Sequence, residues 1–213
     1  MNPAVQNGLL AAGYGVVFFA VLNSRSRSKF RLLMVGSAFA ALYNLGYEWS
    51  VQWRLATSLA LLFRLLPPLE ACWLVERRKR YNLAFAGMLC AAILGSVRFD
   101  GAYLVIRNVA TVGMSLLAWT VFALNWRKHA NPFYFRHLAL QAFWMTLHAG
   151  FSLAFRWYRS TWDEYTTARW LYIAFSLVIV VAYQHLFSCP PVQGEGEAAA
   201  GPQFSQRPPS GTH

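Results

Sequence analysis

The stretch Leu55–Arg80, LATSLALLFRLLPPLEACWLVERRKR, constrains this chain more than any other. It begins as an apolar run long enough to cross a bilayer, for which a helix needs about 20 residues. Yet it carries Arg64, Glu70 and the pair Pro67-Pro68 before stopping against Arg77, Arg78, Lys79 and Arg80. An ionised side chain near the centre of a membrane helix costs roughly 2.5–3.5 kcal/mol on insertion scales, so it persists only where other groups stabilise it. Each proline also frees a carbonyl one turn back and bends the axis, and neighbouring groups must satisfy that carbonyl. The segment is therefore expected inside a helical bundle, with its charges turned toward other helices.

With 57% hydrophobic and only 13% charged residues in 213, the chain has membrane rather than soluble composition. The net charge of +11 would point to nucleic acid in a soluble protein. Here the basic residues sit in short clusters between apolar runs, which is an orientation signal. The expected partner is the lipid bilayer, and nucleic acid is not expected. Cys72, Cys90 and Cys189 form neither a metal-ligand spacing nor an even-numbered disulfide framework, so no metal is expected. No positive residue precedes the first apolar run and a positive cluster follows it, the reverse of a cleaved signal peptide.

Seven candidate spans follow: Ala4–Leu22, Leu32–Trp49, Leu55–Val75, Tyr81–Val97, Ala102–Trp126, His137–Tyr158 and Trp170–Ser188. The first, third and fifth connections hold Arg25, Arg27, Lys29, Arg31, Arg77, Arg78, Lys79, Arg80, Arg127, Lys128 and Arg136. The alternate connections hold only Arg54, Arg98, Arg156, Arg159 and Arg169. This asymmetry places the first set in the cytoplasm. The expected fold is an all-α bundle of seven transmembrane helices over residues 1–188, N-terminus outside and C-terminus cytoplasmic. Residues 160–169 are expected to lie along the outer surface. Residues 189–213, rich in Pro, Gly, Glu, Ala and Gln, read as a disordered cytoplasmic tail. Lean loops suggest a bacterial inner membrane. A faint echo between the segment around Phe19–Asn23 and that around Phe122–Asn125 fits either chance or a three-one-three repeat.

Helical spacing gathers the intramembrane polar residues onto single faces. Ser37, Asn44 and Glu48 share a face in the second span, Arg107, Thr111 and Ser115 in the fifth, and His137, Gln141, Trp144, His148 and Ser152 in the sixth. With Arg64 roughly 13 Å down its span at about 1.5 Å per residue, these stripes converge on one of two arrangements. The first is an outward-facing, net-basic pocket lined by Asn44, Glu48, Arg64, Arg107, Thr111, His148, Ser152 and Ser176, suited to a small anionic ligand. The second is structural: Glu48 pairs with Arg107, and the rest are inter-helix hydrogen bonds of about 0.6 kcal/mol each. Deeper in, Glu70 with His137 and His185 forms a candidate proton relay.

Every lysine lies in a predicted cytoplasmic loop, which excludes a retinal Schiff base. No zinc-protease, serine-hydrolase elbow or phosphate-loop motif is present, so the residues support neither catalysis nor a cofactor. Three function classes remain open: a ligand-binding sensor that signals through a protein partner, a small transporter or channel, and an assembly subunit of a membrane complex.

Overall fold

A computed structural model of the protein describes residues 3–46, 54–76, 87, 102–127, 131–157 and 162–188. The expected span Tyr81–Val97, apart from Gly87, and the tail 189–213 lie outside the described residues. Those described are all helical, with no strand among them: α1 (Pro3–Leu22), α2 (Arg31–Leu45), α3 (Arg54–Glu76), α4 (Ala102–Asn125), α5 (Pro132–Trp157) and α6 (Trp162–Ser188), with a 3₁₀ turn at Arg27–Lys29 before α2. Three helices are long and apolar enough to cross a membrane, over Ala4–Leu22, Asn108–Asn125 and Thr167–Ser188. These belong to α1, α4 and α6, which expose Val5, Val16, Phe19, Val109, Leu116, Leu171, Val178 and Val181. Buried polar side chains are concentrated on α4 (Asn108, Thr111, Ser115 and Asn125) and α5 (His137, Gln141 and His148).

Two helices start earlier than sequence periodicity places them. Asn131 accepts a 2.9 Å hydrogen bond from the Phe133 amide through Oδ1, and Pro132 occupies the first helical position. This Asn-Pro cap opens α5 five residues ahead of His137, because it satisfies an orphan amide and presets the backbone. The segment 162–169 is not a separate surface stretch but the first turns of α6.

The helices α1, α2, α3, α5 and α6 close into a ring, and α4 packs across α3 and α5. Side-chain contacts set their directions. Arg169 donates to the Asn7 side chain, and Gly13 lies against Leu177 and Val180, so α1 and α6 run parallel. Phe122 stacks on Phe135, which makes α4 and α5 antiparallel. Asn125 at the end of α4 donates to Glu76 at the end of α3 at 3.0 Å, so α3 and α4 run parallel.

The α2–α3 seam explains the proline pair. Pro67 has no amide hydrogen for the Phe63 carbonyl one turn back. That carbonyl faces Gly36 of α2 so closely that an added Cβ would sit 2.7 Å from it and 2.9 Å from Pro67 Cγ. Only glycine lets the backbones meet here. One turn beyond, both Glu70 oxygens accept backbone hydrogen bonds from the start of α2, Leu32 at 2.8 Å and Leu33 at 2.9 Å. The residue before α2 is Phe30, which supplies no side-chain cap. Glu70 therefore provides from another helix what the local sequence lacks.

Replacing Glu70 with Ala leaves two buried amides without an acceptor, an expected loss of about 1–3 kcal/mol, while Glu70→Gln keeps one acceptor and loses less. Gly36→Ala forces the seam apart at a cost of about 1–3 kcal/mol. Thermal unfolding of the detergent-purified chain checks both, and an unchanged melting temperature for Gly36→Ala contradicts the seam.

Candidate functional site: an interior cavity beside Arg64

A cavity of about 40 Å³ lies between α1, α2, α3 and α5. Its polar wall comprises Tyr14, Ser37, Tyr43, Asn44, Arg64, Gln141 and His148; Phe39, Ala60, Phe63, Pro67, Trp144 and Met145 supply much of the apolar wall. Phe39 stacks on Phe63 with ring centroids 4.3 Å apart. Trp144 stacks on Tyr14 at 5.2 Å and on His148 at 6.4 Å, so an aromatic column crosses the bundle beside the cavity.

The polar groups are partly satisfied by one another. Asn44 donates to the Ala40 carbonyl of its own helix at 2.7 Å. His148 Nδ1 lies 2.9 Å from the Tyr172 hydroxyl, which is also within hydrogen-bonding reach of Tyr14. The side chains Tyr14, Tyr172 and His148 thus form a chain across α1, α6 and α5. Arg64 is close enough to Tyr14 to act on it electrostatically. Among the described residues no Asp or Glu stands in the cavity wall.

A second polar group lies deeper. Gln141 Nε2 donates to the Tyr183 hydroxyl at 2.6 Å, and His137 Nδ1 is 3.0 Å from the same oxygen. Tyr183 accepts from Gln141, and its hydroxyl and His137 Nδ1 share one further hydrogen bond. His137 Nε2 has no hydrogen-bond partner among the described residues, and the imidazole meets Phe30 edge to face at 5.0 Å.

Of the residues singled out from the sequence, Asn44, Arg64 and His148 come together in the cavity wall. Thr111 on α4 and Ser176 on α6 are buried but do not line it, and Ser152 is half-buried one turn beyond His148. Glu48 and the side chain of Arg107 lie outside the described residues. Glu70 and His137 are buried, and His185 is exposed on α6. Glu70 is engaged by α2. Periodicity missed Tyr14 and Tyr172, whose available signal was a phenol in mid-span, where its hydroxyl needs a partner.

Tyr183→Phe strands the Gln141 amide and the His137 nitrogen together. The expected destabilisation is about 1–3 kcal/mol, read as a lower melting temperature; wild-type stability in this variant would mean the three groups do not depend on one another. Comparison with family models, curated proteins and solved structures returns no match to this chain.

Proposed function

We propose that the protein is a multi-pass membrane protein whose interior cavity binds a small anionic ligand and passes its occupancy to a protein partner. One observation carries this reading: Arg64 lies in a cavity wall that holds no acid among the described residues, while Glu70 of the same helix is occupied by the amides of α2. Arg64 is half-buried, and an ionisable residue within a membrane-spanning helix is by default a candidate functional residue. Asn44, Tyr14 and His148 add hydrogen-bonding groups suited to orienting an anion.

The proposed topology is seven crossings, N-terminus outside and C-terminus cytoplasmic, in a bacterial inner membrane. The parallel course of α3 and α4 supports it, because seven crossings with these two helices as the third and fifth require them to run the same way. The parallel course of α1 and α6 supports an odd number of crossings. Substituted cysteines in a background without Cys72, Cys90 and Cys189 read the sidedness. Asp100→Cys should react with an impermeant maleimide in intact cells, and Lys79→Cys only after permeabilisation; equal reactivity of both would sink the seven-crossing topology.

Binding is read by thermal stabilisation of the purified chain with a panel of small anions at constant ionic strength. At least one anion should stabilise the wild type and leave Arg64→Gln unaffected, and no stabilisation by any anion counts against the pocket. A transporter is the second reading, favoured by Pro67 in the cavity wall, where α3 can bend beside a bound solute. Arg64-dependent flux of the stabilising anion into proteoliposomes would select it over the sensor.

A further inference from the structure

Resting on the pocket reading above, we infer that the ligand is a short-chain monocarboxylate of about two to four carbons, with its carboxylate on Arg64 and its tail against Phe39 and Phe63. Charge, shape and volume each contribute a separate step.

The described wall offers one permanent cation and no acid. A single negative charge is therefore matched, whereas a second would sit uncompensated where the effective dielectric constant is low. His148, the other ionisable nitrogen base in the wall, is held by the Tyr172 hydroxyl and faces the cavity as a hydrogen-bonding group. The planar guanidinium fork fits a carboxylate through two parallel hydrogen bonds. The opposite requirement comes from the apolar wall. The stacked Phe39–Phe63 pair and Ala60 offer nothing to a compact inorganic anion, whose hydration they would remove without replacement. A short alkyl tail meets them favourably. The cavity of about 40 Å³ holds roughly three water-sized groups, whose share of liquid volume is about 90 Å³ in total. Bonded atoms pack more closely than waters, so that space suits a few carbons ending in a carboxylate.

The experiment is titration of the detergent-purified full chain with propionate, succinate, inorganic phosphate, propionamide and decanoate at constant ionic strength, followed by calorimetry and thermal stability. Propionate should bind, propionamide should not, and succinate, phosphate and decanoate should each bind about tenfold more weakly or worse. Arg64→Gln should weaken propionate roughly ten- to a hundredfold, and Arg64→Lys, which keeps the charge but loses the fork, should fall between. Ala60→Leu fills the tail slot and should abolish propionate binding with Arg64 intact, which keeps the inference open to refutation where an Arg64 variant fails to fold. Tighter Arg64-dependent binding of succinate, phosphate or decanoate overturns this inference and leaves the pocket standing. If no anion binds the wild type, or propionate binds Arg64→Gln undiminished, the pocket falls with it.

Discussion

The structure turns on a carboxylate of one helix holding the first turn of another. Phe30 stands at the start of α2 because it is the meeting point of several aromatic groups, with Phe133, His137 and Phe187 all edge-on to it. A phenyl ring cannot cap a helix. The amides of Leu32 and Leu33 would then be orphaned in an interior with no water, at a cost comparable to a lost hydrogen bond each. Glu70 answers both, and the positive end of α2 in turn stabilises a carboxylate that burial would otherwise penalise. Reaching that position requires close backbone approach, which Gly36 and the ring of Pro67 provide.

This arrangement decides the charge balance of the interior. Arg64 and Glu70 are six residues apart, about 9 Å along the axis and roughly a third of a turn out of phase. With Glu70 committed to α2, Arg64 stands in the cavity wall beside Tyr14, without an acid among the described lining residues. Hydrogen bonds between membrane helices are worth about 0.6 kcal/mol on average, against an insertion cost of roughly 2.5–3.5 kcal/mol for a charge at a helix centre. That difference is the physical ground on which the proposed binding site rests.

The parts legible in the sequence were those governed by period and composition. The apolar runs marked α1, α4 and α6, and four-residue spacing placed Asn44 and His148 on faces that do meet at the cavity. What stayed hidden depended on partners distant in the chain. The acid that caps α2 comes from 38 positions away, and nothing around Phe30 resembles the usual Ser, Thr, Asp or Asn cap. Periodicity also reports which face is polar without saying which helix it meets. Thr111 and Ser176 are accordingly buried yet away from the cavity, because α4 sits outside the five-helix ring and Ser176 turns to another seam. The early start of α5 was legible in Asn131-Pro132, but an apolar-run criterion passes over a cap.

The cavity and the cap lie to either side of the Pro67-Pro68 pair. Above Pro67, Asn44 of α2 and Arg64 of α3 face the same space; below it, Glu70 ties α3 to the start of α2. On the pocket reading, an occupant touching both residues adds a second tie across the seam, so that α3 is held to α2 above and below its weakest point. A ligand shifts an equilibrium only through its different affinity for two arrangements. The 3₁₀ turn Arg27–Lys29 leads directly into the amides that Glu70 holds, so any loosening of the α2–α3 seam reaches that turn through the start of α2.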